Sequence, residues 1–249
     1  MRFVGVDGCK TGWFAVCLAE NNKWETRVFP DIFTLWDSLW GRYQSDLKIF
    51  IDIPIGLREN TTKERLCDPK ARELLGKPRS SSVFPAPCRQ ALNEKTHKNA
   101  SLVNKEHTSR GLPVQAWSIV PKILQVDQLM CADENARFCI TEIHPELCFY
   151  GFAGYPMKHN KRKEEGLLER KSLLMDIYPS ADRIVKHALS KYMRKDVAKD
   201  DILDALAAAL TAKLGYEYGL QTIPRYPELD PQGLPMRMVY FSNKGRLIL

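Results

Sequence analysis

Two apolar runs separated by a short glycine-containing turn, within residues 4–18, place the strongest constraint on the fold. The stretch reads VGVDGCKTGWFAVCL, in which Asp7 ends the first run and Gly8 and Gly12 precede the second. Short apolar runs joined by such turns are typical of antiparallel hairpins. A third candidate strand at 23–29 extends the pattern. The start of the chain therefore predicts an antiparallel three-stranded meander.

The segment after the meander predicts a crossover to a parallel strand. Apolar residues recur at helical spacing over 32–43, and Asp31 is placed to cap this helix. An apolar run at 48–53 follows, and the order strand, helix, strand favours parallel pairing. Further strands are predicted at 137–143 and 236–241. This alternation of strand and helix signals is typical of the α/β class.

The middle of the chain has a different sequence pattern from its two ends. A length of 249 residues with 44% hydrophobic residues suits one large domain, or a domain with an insertion. Charged helical pieces occupy residues 58–111 and flank the loop GKPRSSSVFPAPCR at 76–89. We predict a single domain over 1–249 with a helical and loop insertion at 58–111. The last third is mostly helical and includes a long helix at 200–215.

Composition limits the classes of protein to which the chain can belong. Seven cysteines without a C-x-x-C pair argue against a disulfide framework and a zinc knuckle, and favour a reducing compartment. No window approaches the roughly 20 apolar residues of a membrane span. Residues 2–4 enter a strand pattern without the apolar core of a signal peptide. We therefore expect a cytoplasmic protein with no membrane partner.

The charge balance permits a polyanionic partner such as nucleic acid. The formal net charge is +7 and the sequence pI is about 9.0. Basic residues gather at 158–171, where Lys161, Arg162 and Lys163 are candidates for phosphate contacts. The alternative is a solvated helix start with charge pairs four residues apart.

Acidic residues occupy comparable places in three predicted elements. Asp7 ends the first strand, Asp52 lies near the end of the fourth, and Asp201 and Asp204 share one face of the helix at 200–215. Adjacent first and fourth strands would bring the two strand carboxylates together. Alanines in the helix, at 205, 207, 208, 209 and 212, would let it approach the sheet closely.

Converging carboxylates repel one another unless a cation joins them. Oxygen ligands with open water positions suit Mg²⁺ or Mn²⁺, and a pair of such ions serves phosphodiester hydrolysis in many enzymes. Each acid also has a structural explanation. Asp7 can form a turn before Gly8, and Asp201 can complement the helix dipole. Asp204 lies a turn inside an apolar stretch, and the charge of Asp52 needs a partner within its apolar run.

The order of motifs along the chain resembles that of a known family. The motifs are VGVDG, FIDIPIGL, RSSSVFPAPCR, EIHPELCF and DDILDALAAAL. They resemble the predicted ribonuclease-H-like nuclease family called domain of unknown function 429. The resemblance implies an α/β, ribonuclease-H-like fold with a five-stranded mixed sheet flanked by helices. The DILDAL segment also resembles the Asp-x-x-Asp-Ala-Leu helix of Holliday-junction resolvases, which implies Asp7, Asp52, Asp201 and Asp204 as candidate metal ligands.

Two further segments of the family pattern supply candidate site residues. In TEIHPELCF, Glu142 is a candidate to join the metal site, and His144 is a candidate proton-transfer group or a turn-forming residue. In KPRSSSVFPAPCR, Arg79, Ser81 and Arg89 form a candidate phosphate-contacting loop. The alternative for that loop is an ordered, proline-anchored connection.

These residues predict a metal-dependent nuclease that hydrolyses RNA or DNA with two Mg²⁺ or Mn²⁺ ions. In that interpretation Asp7 bridges the ions, Asp52 and either Asp204 or Asp201 flank them, and Glu142 assists. A second interpretation is an ATPase of the actin and sugar-kinase type, since its phosphate-gripping hairpin also begins strand–Asp–Gly–turn–strand. A third is a non-catalytic nucleic-acid-binding module on the same fold.

Overall fold

A five-stranded mixed sheet forms the centre of one part of the molecule. The computed structural model describes residues 1–243. The strands of this sheet are β1 (Arg2–Cys9), β2 (Gly12–Ala19), β3 (Trp24–Phe29), β4 (Leu47–Ile51) and β5 (Ile140–Glu142). Their spatial order is β3-β2-β1-β4-β5. Pairing is antiparallel from β3 to β1 and parallel from β1 to β5, which confirms the predicted meander and crossover.

Helices surround and follow these strands, and the α/β class is confirmed. In chain order they are α1 (Ile32–Tyr43), α2 (Cys67–Leu75), α3 (His97–Thr108), α4 (Val114–Ala132), α5 (Glu134–Cys139), α6 (Pro145–Ala153), α7 (Glu164–Ile177), α8 (Ala181–Lys191) and α9 (Lys199–Tyr218). Within residues 1–243, none of them has the length and apolar character required to cross a lipid bilayer.

The chain divides into two compact units. The first contains Met1–Asp52, Cys139–Gln221 and the chain from Val239, and therefore the five-stranded sheet. The second contains Ile53–Phe138 and Thr222–Met238. The predicted insertion at 58–111 lies inside the second unit, which extends beyond it on both sides and also includes a later segment.

The second unit includes strands that pair away from the main sheet. Strand β6 (Gln221–Leu229) pairs with β7 (Pro235–Tyr240) in a separate two-stranded sheet. The predicted strand at 236–241 matches β7 within one residue at each end, whereas no pattern predicted β6. The predicted strand at 137–143 is wrong in its first half, because α5 continues to Cys139. Asp133 caps α5 by accepting a hydrogen bond from the Asn135 N–H at 2.8 Å.

The longest helix of the first unit, α9, packs directly on the centre of the sheet. A Cβ atom added to Gly5 in β1 would lie 1.9 Å from the Ala205 carbonyl oxygen and 2.2 Å from the Ala209 nitrogen. The small side chains of α9 and the missing side chain of Gly5 together permit this approach. The core on this face includes Phe3, Phe14 and Phe50 from the sheet.

Candidate functional site

Asp7 and Asp52 lie side by side where β1 and β4 end. Val6 is in register with Ile51, and the Asp52 N–H continues the ladder by donating to the Val6 carbonyl oxygen at 3.1 Å. Side chains alternate between the two faces of a sheet, and residues in register share a face. Asp7 and Asp52 are therefore on the face that carries Gly5 and α9. The predicted adjacency of the first and fourth strands is observed.

The third carboxylate enters from α9. Asp204 is 1% exposed. Its Oδ2 accepts a hydrogen bond from the Lys161 ammonium, with Nζ and Oδ2 2.5 Å apart. Its Oδ1 is buried and has no hydrogen-bond partner among the described residues. A buried carboxylate oxygen without a partner is costly, so this atom indicates a position that a further donor or a cation would satisfy.

Asp7, Asp52 and Asp204, which we call the carboxylate cluster, interact electrostatically. Burial raises the pKa of Asp7 well above its usual value, and the charges of Asp52 and Asp204 raise it further. Burial likewise raises the pKa of Asp52, against the opposing effects of His144 and Lys161. Burial raises the pKa of Asp204 to about 6 in spite of Lys161. Such raised values are expected where carboxylates share a poorly solvated site.

Lys161 belongs to this cluster rather than to an open basic surface. The pKa of Lys161 lies above its usual value, chiefly because of the negative charge of Asp204. Burial lowers this pKa, but the charges of Asp7 and Asp52 raise it further and the net effect is an increase. The ammonium is therefore charged at neutral pH. The basic run at 158–171 made Lys161 a candidate for phosphate contacts. The sequence could not predict its ion pair with Asp204, because a pair between residues 43 positions apart leaves no periodic signal.

The rest of the basic segment 158–171 is divided between buried and exposed positions. Arg170 is fully buried and forms an ion pair with Glu146 at 2.5 Å. Lys171 pairs with Asp182 at 2.8 Å. Arg162 and Lys163 are exposed. Of the predicted phosphate-contacting residues in this segment, these two keep a solvent-facing position.

Asp201 acts at the start of α9. Its carboxylate accepts a hydrogen bond from the Ala198 N–H at 2.8 Å, which is the geometry of a helix cap. Its charge raises the pKa of Asp7 less than the charges of Asp52 and Asp204 do. Between the two acids left open by the sequence, the geometry therefore favours Asp204 as the ligand and a capping role for Asp201.

Glu142 lies on the opposite face of the sheet from the carboxylate cluster. It is in register with Ile51, so strand alternation directs its side chain away from the face of Asp52. Glu142 is 3% exposed, and its neighbour Ile143 belongs to the core beneath α9. The expectation that Glu142 assists at the metal site is not supported. Glu142 is aligned with Ile51 rather than with Asp52, and a difference of one position puts a side chain on the opposite face of the sheet.

His144 has the turn-forming position that the sequence offered as its alternative role. It is the N-cap of α6, and its Nδ1 accepts a hydrogen bond from the Glu146 N–H at 3.2 Å. It also lowers the pKa of Asp52.

The predicted phosphate loop lies in the second unit. Arg89 forms ion pairs with Asp127 at 2.9 Å, with Glu59 and with Asp230. Three carboxylates around one guanidinium favour a structural role for Arg89 in this unit. Arg79 begins a short 3-10 turn, and the exposed Ser81 hydroxyl donates to the Pro78 carbonyl oxygen at 3.0 Å.

The hairpin between β1 and β2 bears on the ATPase interpretation. A phosphate-gripping hairpin requires free backbone N–H groups at its turn. Here the Lys10 N–H donates to the Asp196 carbonyl oxygen at 3.2 Å. The hairpin has therefore already committed one of the donors that such a function needs.

The fold and the site define an α/β protein with buried carboxylates where two parallel strands end beneath a helix. The family model described as Protein of unknown function (DUF429) matches residues 5–228, and the chain belongs to this family. Comparison with curated proteins gave no match, and neither did comparison with solved structures.

Proposed function

We propose that the protein is a metal-dependent nuclease with a ribonuclease-H-like fold. The observation that carries the proposal is the carboxylate cluster of Asp7, Asp52 and Asp204, in which Asp7 and Asp204 are buried and Asp204 Oδ1 has no partner among the described residues. Three antiparallel strands followed by two parallel ones, with Asp7 on the central strand β1, support the ribonuclease-H-like assignment. Fold alone does not determine activity, so the proposal rests on the site.

The donor set fits Mg²⁺ or Mn²⁺. All three proposed ligands are carboxylate oxygens, which hard divalent cations prefer. A bound divalent ion would neutralise the cluster, activate water and stabilise the negative charge that develops in phosphodiester hydrolysis.

The residues of the chain supply the rest of the chemistry. The β1–β4 ladder holds the backbones of Asp7 and Asp52 side by side, so that their carboxylates lie on the same face of the sheet. Burial strengthens every electrostatic interaction within the cluster. His144, held as the N-cap of α6, provides an imidazole that interacts electrostatically with Asp52 and can accept a proton.

A substrate panel tests the proposed activity. Purified protein is incubated with labelled single- and double-stranded DNA, RNA, an RNA–DNA hybrid, a four-way junction and ATP, each with Mg²⁺, Mn²⁺ or chelator. We expect cleavage of at least one nucleic acid with metal and none with chelator. Stabilisation by ATP well beyond that of Mg²⁺ alone, with turnover to ADP, would instead establish the ATPase interpretation. Nucleic-acid binding without cleavage under any condition would establish the non-catalytic one.

Binding of nucleic acid is expected to depend steeply on salt, because the cations Arg162 and Lys163 are exposed and would contact phosphates rather than bases. Replacing both by Met should make the slope of log K against log salt shallower by about two. Fluorescence anisotropy across a salt series measures the slope. Lys95→Met with Lys98→Met removes the same charge from exposed positions of the second unit and serves as the matched control. Equal slopes for the two double variants would exclude Arg162 and Lys163 from the binding surface.

A further inference from the structure

We propose that Lys161 is the resident cation of the carboxylate cluster, so that the site binds one divalent ion where comparable sites bind two. The ammonium pairs with Asp204, a carboxylate that a second ion would otherwise need as a ligand. This inference depends on the proposed metal site and specifies its composition.

The contact itself is that of a buried ion pair. Lys161 Nζ lies 2.5 Å from Asp204 Oδ2, and the two side chains are 35% and 1% exposed. The ammonium also interacts with the charges of Asp7 and Asp52. A single lysine therefore interacts with every carboxylate of the cluster.

Charge balance favours one divalent ion beside Lys161. The three ionised carboxylates carry three negative charges, which Lys161 and one divalent ion neutralise completely. A second divalent ion would leave two positive charges in excess, and repulsion between that ion and the ammonium is strong where water is scarce. Asp204 Oδ1, which has no partner among the described residues, remains available to that ion.

The loop that carries Lys161 is held in place by contacts that do not involve the cluster. The Glu169 carboxylate, in α7, accepts hydrogen bonds from the Lys158 N–H at 2.8 Å and the His159 N–H at 3.0 Å. The loop also passes directly over α7 at Gly166, where an added Cβ would lie 2.0 Å from the Asn160 carbonyl oxygen. The backbone on the N-terminal side of Lys161 is thus fixed to α7.

A second buried ion pair fixes this arrangement to the rest of the first unit. The Arg170 guanidinium donates to the His159 carbonyl oxygen at 3.1 Å and pairs with Glu146 of α6 at 2.5 Å. Arg170 is fully buried and Glu146 is 4% exposed. Lys161 is therefore positioned by a buried framework rather than by attraction to the carboxylates alone.

Counting bound Mn²⁺ tests the inference without measuring activity. Electron paramagnetic resonance of free Mn²⁺ during a titration gives the number of ions per chain. We expect about one ion in the wild type and about two in Lys161→Met, which keeps the length of the side chain and removes its charge. Lys163→Met, an exposed lysine two positions away, is the matched control and should bind about one.

The outcomes separate this inference from the proposed function. Two ions in the wild type, or no additional ion in a folded Lys161→Met variant, would overturn the role of Lys161 and leave the metal site standing. No bound Mn²⁺ in either protein would overturn both. If Lys161→Met does not fold, Lys161→Met combined with Asp204→Asn removes both charges of the pair, and one ion is again expected. The wild-type count is decisive if neither variant folds, since one ion supports the inference and two overturn it.

Discussion

Replacement of Asp7 by Asn is expected to lower metal-dependent cleavage on the order of 10³-fold and to raise the stability of the metal-free protein. The loss of activity follows because metal-ion catalysis contributes several kcal/mol and each 1.36 kcal/mol is a factor of about ten. The gain in stability follows because Asn keeps the shape, and its oxygen can still accept the hydrogen bond that Gly8 N–H donates to Asp7 Oδ1 at 2.8 Å. Removing a functional but unfavourable charge commonly stabilises a protein by about 0.5–2 kcal/mol.

The stabilisation by Asp7→Asn should depend on pH in a defined direction. Because the pKa of Asp7 is raised in the folded protein, the folded state holds a proton that the unfolded state has already released. Wild-type stability therefore decreases as the pH rises from the usual carboxylate range through the raised pKa, and the variant lacks this loss. The difference in melting temperature between variant and wild type, measured with chelator, should be larger at about pH 8 than at about pH 5.

Asp201→Asn is the matched control for Asp7→Asn. Both substitutions remove one carboxylate charge from the same end of the first unit, but Asp201 caps α9 through the Ala198 N–H. We expect Asp201→Asn to lose about 0.3–1 kcal/mol of stability and to keep the stabilisation by Mn²⁺ seen in the wild type. If Asp7→Asn also keeps the full Mn²⁺-induced shift in melting temperature, the carboxylate cluster is not a metal site.

The parts of the site that the sequence predicted are those set by local periodicity. Asp7 and Asp52 follow apolar runs that could only be strands, and a helical crossover makes those strands parallel neighbours. Asp204 lies a turn inside an otherwise apolar helical stretch, which a role in complementing the helix dipole does not explain. Each inference needed only the period of one element and the order of elements along the chain.

The parts that the sequence did not predict depend on register or on distant side chains. Glu142 was expected near Asp52, yet the parallel register aligns it with Ile51 and so with the other face. Strand β6 contains Pro224 and Pro227, which normally argue against a strand interior. It forms nonetheless, because it pairs with β7 alone, and prolines are tolerated in strands that lie at a sheet edge.

Lys161 and its supporting framework were equally invisible in the sequence. The run KHNKRKEEGLLERK reads as one basic segment, but the fold sends Lys161 to Asp204, buries Arg170 against Glu146 and leaves Arg162 in solvent. The sequence shows which residues of this run are basic. The direction in which each side chain points depends on how the loop and α7 pack. Only the folded chain distinguishes a site residue from its solvated neighbours.

The contact between Gly5 and α9 is expected to be among the least tolerant in the molecule, because it sets the distance between Asp7 and Asp204. In Gly5→Ala the new Cβ would lie 1.9 Å from the Ala205 carbonyl oxygen, so α9 or β1 must move. Overpacking against a flexible side chain costs about 1–3 kcal/mol, and a backbone obstacle should cost about 3 kcal/mol or more. For a chain of this size the melting temperature should then fall by about 6–12 °C.

Gly41→Ala is the matched control, because it makes the same substitution at a position where we expect it to stabilise the protein. Gly41 is exposed in α1, and an added Cβ would meet nothing within 4 Å. Alanine in a helix interior should therefore stabilise the protein by about 0.5–1 kcal/mol. Urea unfolding gives both free energies. In Gly5→Ala the Mn²⁺-induced rise in melting temperature should also shrink, since Asp204 is displaced from Asp7, whereas Gly41→Ala should keep it. If the free energy of unfolding of Gly5→Ala lies within about 1 kcal/mol of the wild-type value, the close packing of α9 on the sheet is contradicted. The geometry of the carboxylate cluster, which depends on that packing, is then contradicted as well.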